Sequence, residues 1–168
     1  MDTIEAIRSR RSIRSYRSET VPDDILEQIL EAGRWAPSAN NSQPWTFIVV
    51  RDQKVRRDLA NIATYGRFLA QAPAVIAVAI DPDASPHAVE DGAAATQNML
   101  LAARALGLGS CWIGAYGSAY EGMAKDILAI PGRKRLLSLI SLGYPSESPI
   151  ETRKGLGEIV FHDKYGQK

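Results

Sequence analysis

The sequence predicts an α+β protein in which a mixed central β-sheet is flanked by helices and followed by a C-terminal arm. Three observations carry this. Two helix signals precede the first strand signal, after which strands and helices interleave. The runs TFIVVR, AVIAVAI and LLSLISL are apolar, with enough β-branched and aromatic residues to read as buried strands. One long Ala- and Leu-rich segment is apolar on most sides and belongs inside a packed structure. A chain of 168 residues with 45% hydrophobic content buries one substantial core, so residues 1–168 are expected to form a single domain. No internal repeat, low-complexity stretch or linker interrupts it.

The elements follow in order. Thr3 can cap a short helix in which Ile4 and Ile7 share a face. Val21-Pro22-Asp23-Asp24 places proline and two acids in a first turn, and Ile25, Leu26, Ile29, Leu30 and Ala32 then repeat at helical spacing to about Trp35. APSANNSQP is loop chemistry. Thr46 to Arg51 is a strand, and Asp52 caps a polar helix to about Ala63. Ala74 to Ile80 is a second strand, ended by Asp81-Pro82. The long helix spans roughly His87 to Leu106 and stops at Gly107 and Gly109, both read as helix-cap glycines. Cys111-Trp112-Ile113 is a short strand, Tyr120 to Leu128 a helix, and Leu136 to Leu142 a last buried strand. Ile150 to Lys168 reads as an arm with one apolar patch at Ile159-Val160-Phe161.

Charge narrows the function. With 20 Lys+Arg against 19 Asp+Glu the net charge is +1, which argues against coating nucleic acid with a whole basic surface. Any anion site must be local. One cysteine and two histidines provide neither a disulfide scaffold nor a zinc cluster, and suit a reducing cytoplasm. Asp2 and Glu5 argue against a transit peptide, and the longest apolar stretch, Ala72 to Ile80, is far too short to span a membrane.

Four segments can carry chemistry. RSRRSIRSYR, Arg8 to Arg17, holds five arginines in ten residues. Arg10, Arg11 and Arg14 cannot all face one way in a regular element, which suits a loop wrapped around an extended phosphate ligand; a solvated basic turn or a nucleic-acid arm would look similar. Pro37 to Trp45 concentrates carboxamides and hydroxyls in a stretch that either lines a polar ligand edge or merely connects. GLGSCWIG, Gly107 to Gly114, lacks both the GxGxxG spacing and a P-loop lysine. Its Gly114 is unexplained by capping, and a glycine at a strand end lets a flat ligand approach the backbone. Cys111 is a nucleophile candidate, but its apolar surroundings favour a buried structural thiol. Glu90-Asp91 is either an acid pair or an ordinary dipole partner at a helix N-terminus. His87 and His162 are isolated surface residues, and Arg153-Lys154 is a solvated pair or a second phosphate contact.

Taken in order, these segments resemble the nitroreductase family of flavoproteins over nearly the whole chain. The family's RRS-x-R run matches Arg10-Arg11-Ser12-Ile13-Arg14. Its PS-x-x-N-x-Q-P-W loop matches Pro37, Ser38, Asn41, Gln43, Pro44 and Trp45. The D-x-x-x-x-x-Q-N-x-L helix followed by GLG and W-I-G matches Asp91, Gln97, Asn98, Leu100 and Gly107 to Gly114. A late GYP and a terminal Arg-Lys correspond to Gly143-Tyr144-Pro145 and Arg153-Lys154.

The resemblance implies a homodimer holding FMN at the subunit interface and passing a hydride from NAD(P)H through flavin N5 to a nitroaromatic, quinone or related acceptor by a ping-pong mechanism. By motif position, Arg10 and Arg11 meet the FMN phosphate or ribityl chain, with Arg153 joining on the phosphate. Ser12 and Arg14 reach the ribityl and pyrimidine side. Pro37, Ser38 and Ala39 come from the other subunit to cover a ring face, Asn41 and Gln43 hold that loop or touch the ring, and backbone at Ile113, Gly114 and Ala115 approaches N5. No catalytic acid, base or metal is implied, because the cofactor carries the chemistry. Two departures stand out: the chain is short for the family, and Glu151 occupies a place where longer members often have lysine. A flavin carrier or sensor, or a specialised reductive enzyme on the same scaffold, is the alternative reading.

Overall fold

The computed structural model describes residues 1–167. Its helices are α1 (Thr3–Ser9), α2 (Asp23–Arg34), α3 (Gln53–Ile62), α4 (Ala88–Ala105), α5 (Glu121–Ile127) and α6 (Leu156–Ile159), and its strands β1 (Trp45–Val50), β2 (Ala74–Ile80), β3 (Gly109–Gly114) and β4 (Arg135–Gly143). The strands form one sheet in the order β1-β2-β4-β3, each antiparallel to its neighbour. Among the described residues the parallel component is a single bridge between Ser12 and Ser110, beside β3. A helical connection does not force parallel pairing here. Val50 pairs with Val75, so the α3 excursion leaves and re-enters the sheet at one end.

The two faces of the sheet carry two cores. On β2, Val75, Ala77 and Ala79 face Leu59, Ala60 and Ala124 of α3 and α5. Ala74, Ile76, Val78 and Ile80 face Ile29, Met99 and Ala103 of α2 and α4. Every residue of β2 is buried, which is why its sequence runs apolar without alternation. Each fully buried Ile or Leu contributes roughly 2 kcal/mol of apolar burial. Helix α4 lies against α2 on one side and the sheet on the other, which explains its nearly continuous apolar surface.

Two local expectations are corrected. Asp2, not Thr3, caps α1: its carboxylate accepts the Glu5 N–H at 2.9 Å, and the helix begins at Thr3 itself. Asp52 caps α3 as expected, accepting from the Val55 N–H at 2.9 Å. Gly107, at φ +83°, supplies the left-handed turn that ends α4. Gly109 is no cap. It is the first residue of β3, and a Cβ on it would lie 2.9 Å from Cβ, Cγ1 and Cγ2 of Ile13. Residues 150–167 contain only α6, and Ile150 and Leu156 are 92% and 75% exposed, so the arm packs little against its own chain. No helix among the described residues is long and apolar enough to cross a membrane.

Candidate functional site

Strand β3 is an edge strand, and its alternation decides what it offers. The Ala115 N–H is bonded to Leu137 O at 3.0 Å, and Ile113 pairs with Leu139. Hydrogen-bonded pairs alternate along an antiparallel ladder, so the backbone groups of Ser110, Trp112 and Gly114 point away from β4 to the open edge. Ser110 shows this directly, its carbonyl accepting the Ile13 N–H at 2.9 Å. That bond, the Ser12–Ser110 bridge and the close seat of Ile13 on Gly109 dock the arginine run along β3. At the far end the Gly114 carbonyl accepts the Tyr120 hydroxyl, leaving the Gly114 N–H on the open edge. A Cβ on Gly114 would meet nothing within 4 Å, so the space beside it is free.

Arginines gather along this edge. Arg10, Arg11, Ser12, Arg14 and Arg153 share a cleft of about 170 Å³ with Pro149 and Glu151. Arg14 also lines the next cleft, about 180 Å³, with Tyr65, Phe68, Tyr120 and the backbone run from Cys111 to Gly114. Among the described residues, no ion pair neutralises Arg10, Arg11, Arg14 or Arg153. The Arg11 guanidinium donates to the carbonyls of Arg8 and Arg10 at 2.8 and 2.9 Å, which orients it without cancelling its charge. Burial, then the like charges of Arg153 and Arg11, pulls the Arg10 pKa below the ordinary arginine value. A dianion entering this cleft relieves that repulsion and takes paired donors. Arg8 and Arg17 stay on the surface, Arg17 beside Glu19 at 3.7 Å.

The second predicted segment stands elsewhere. The loop from Pro37 to Gln43 precedes β1, at the opposite edge of the sheet from β3. Three strand spacings of ~4.8 Å put those edges about 14 Å apart. Asn40, Asn41 and Gln43 have φ of 53°, 54° and 48°, with Ser42 between them right-handed, and asparagine tolerates the left-handed region better than most residues. Asp91 holds the loop, accepting the Ala39 N–H at 3.0 Å and the Ser85 hydroxyl at 2.7 Å. Gln43 donates to the Asn41 side chain at 3.1 Å, and its own N–H reaches the Ser38 hydroxyl at 3.0 Å. Asp91 is therefore a loop anchor and not one of an acid pair, while Glu90 sits 3.8 Å from His87 on the surface.

Several residues of this edge escaped sequence reasoning. Tyr65 and Phe68, in the connection after α3, line the Gly114 cleft; a Tyr-Gly-Arg-Phe stretch after a helix was the available signal. Tyr120 was read only as the start of a helix. The Glu147 carboxylate accepts the N–H groups of Arg14 and Ser15, pinning the arginine run from a segment more than a hundred residues away. Behind Gly114, Glu121 takes two bonds from Arg135 at 2.7 Å and the Gly117 N–H at 2.8 Å, and Arg135 lies over the Tyr116 ring at 4.3 Å. Cys111 is buried, its thiol pushed up in pKa chiefly by that burial. The Ala115 N–H, spent on Leu137, is not available to a ligand.

The basic cleft thus leads along the sheet edge to the Gly114 amide, and comparison of the whole chain with known proteins gives its family. The nitroreductase family model covers residues 7–66 and 63–144, and the chain belongs to that family. A relative from Archaeoglobus fulgidus, provisionally named an NADH dehydrogenase/NAD(P)H nitroreductase, is 42% identical over 151 residues, covering 87% of each chain. The FMN-dependent nitroreductase of Clostridium difficile R20291 superposes with a TM-score of 0.90 at 30% identity, over 96% of this chain and 99% of that one. A provisionally assigned nitroreductase from Desulfovibrio desulfuricans, solved in complex with FMN, superposes with a TM-score of 0.86 at 36% identity, over 98% of each chain.

Proposed function

We propose that this chain is an FMN-dependent NAD(P)H oxidoreductase, with FMN laid along the open edge of β3 and two copies of the chain completing the site. The observation that carries this reading is the unbroken line from the unpaired Arg10, Arg11 and Arg153, past Ser12 and Arg14, to the free edge at Gly114. When bound, FMN supplies hydride uptake from NAD(P)H at N5 and its delivery to a nitroaromatic, quinone or related acceptor, in two ping-pong half-reactions.

The chain's own residues divide the remaining work. Arg10, Arg11 and Arg153 meet the phosphate, and Ser12 offers a hydroxyl to the ribityl chain. Arg14, at the junction of the two clefts, is the cation for negative charge on the pyrimidine side of the reduced ring. The Gly114 N–H is the donor left for the N5 side, flanked by Ile113 and Ala115, whose own backbone groups are turned toward β4. Tyr65 and Phe68 border the space where donor and acceptor alternate.

The loop of Pro37, Ser38, Ala39, Asn41 and Gln43 is too far across the sheet to cover a ring held by its own chain. It serves the site of a second copy. Exposed Ile4 and Ile7 on α1, Trp35 at the end of α2, and Ile150, Leu156 and Ile159 on the arm supply apolar surface for that homodimer. A single buried free thiol fits the reducing cytoplasm.

Purified protein is expected to be yellow and to bleach anaerobically with NADH or NADPH. Arg10→Ala and Arg14→Ala are each expected to weaken FMN binding tenfold or more, the effect of one charge-assisted contact. Flavin titrations giving wild-type affinity for both variants would remove these assignments. Yellow protein that neither nucleotide bleaches would instead make it a flavin carrier.

A further inference from the structure

The arginine cleft holds one acid. Glu151 lines it together with Arg10, Arg11, Arg14 and Arg153, just after Pro149 brings the start of the arm against the arginine run. Among the described residues it forms no ion pair with any of these cations. Two of them are turned to carbonyls of the chain instead: Arg11 donates to Arg8 and Arg10, and Arg153 donates through Nη1 to Thr152 O at 2.8 Å. The neighbouring acid is occupied, since Glu147 accepts the N–H groups of Arg14 and Ser15 and so fixes the backbone there. Glu151 is exposed and takes no part in that anchoring, so its charge is left to act on whatever enters the cleft.

We propose that Glu151 is a specificity-determining residue of the phosphate cleft, one that narrows its preference for a phosphorylated flavin over an unphosphorylated one. The inference rests on the FMN reading of this cleft. FMN ends in a phosphate that is close to a dianion at neutral pH, drawn by the guanidinium groups and repelled by the carboxylate that shares their cleft. Riboflavin ends at the same place in a hydroxyl. It carries no charge for Glu151 to repel, and a carboxylate accepts its O–H. An acid here therefore lowers the affinity for one flavin and spares the other, whereas a further cation would strengthen the phosphate contact alone. Solvent and salt screen a charge this exposed, which limits removing it to about threefold in FMN affinity and reversing it to about tenfold. Because the side chain is exposed and unpaired, its replacement leaves the fold as it is.

Full-length wild type, Glu151→Gln and Glu151→Lys are titrated with FMN and with riboflavin, each at low and at high salt. FMN is expected to bind about threefold more tightly to Glu151→Gln and about tenfold more tightly to Glu151→Lys, with riboflavin within about twofold of its wild-type affinity in both. The gain for FMN should shrink at high salt, as a charge effect across solvent must. A purely structural role for Glu151 would move both flavins together. Unchanged FMN affinity in Glu151→Lys, or equal shifts for FMN and riboflavin, overturns the inference and leaves the FMN reading in place. Wild type that takes up neither flavin overturns the FMN reading, and this inference with it.

Discussion

Ile13 rests directly on Gly109: a single added Cβ would come within 2.9 Å of three of its side-chain carbons. A β-branched side chain fixed by its own backbone bond to Ser110 has little room to yield. Gly109→Ala is therefore expected to push the arginine run off β3. Overpacking of this kind costs about 1–3 kcal/mol, and FMN affinity should fall tenfold or more with it. Denaturant melts and flavin titration check both; an unchanged melt and affinity would mean the run docks without this contact.

Asp91 bridges Ala39 and Ser85, and so holds the Asn40–Gln43 segment, with its three left-handed residues, in place. Asp91→Ala leaves the Ala39 N–H and the Ser85 hydroxyl without their partner, at a cost of about 1–3 kcal/mol. Asp91→Asn keeps one carbonyl acceptor and should lose less. Thermal melts of the two variants give the ranking, and FMN release by the alanine variant alone would support the place over the ring proposed for the loop.

Glu121 predicts an acid sensitivity. Hydrogen bonds from Arg135, followed by those from the backbone of Gly117 and Leu136, hold its carboxyl below the ordinary glutamate pKa. A depressed folded pKa gives stability that is complete above the unfolded value, about 4.3, and lost as pH falls through the folded one. Glu121→Gln should cost about 2–3 kcal/mol at pH 7, less than a fully buried pair because Arg135 is partly exposed to solvent. That gap should narrow below about pH 4.3. Urea midpoints across pH 3–7 test it, and a constant gap would show that the ion pair does not contribute.

Tyr120 sets the orientation of the Gly114 peptide by donating to its carbonyl. Tyr120→Phe keeps the ring in its buried place and removes only the donor. Stability should drop by about 1 kcal/mol and FMN should dissociate several times faster, as followed by its fluorescence. A variant with wild-type flavin release would show that β4 alone positions Gly114.

The periodicity of the chain determined its elements. Runs such as Ala74 to Ile80 and the amphipathic repeat from Ile25 to Leu30 are local patterns, and α1–α5 and the four strands lie where those patterns place them, within a residue or two, while the short α6 falls in a stretch expected only as an arm. Arg10, Arg11, Ser12, Arg14 and Gly114 taken one by one leave a solvated basic turn or a plain strand end open, and only the order of their segments along the chain points to a flavin site. Tertiary structure decided what these residues share. Pairing β2 with β4 makes β3 an edge, register turns the Gly114 N–H outward and the Ala115 N–H inward, and Glu147 and Gly109 lay the arginines along that edge. The strand order also sends Pro37–Gln43 to the far side of the sheet. None of this follows from spacing along the chain: register and edge position come from hydrogen bonds between segments distant in sequence, and a shift of one residue would reverse every one of them.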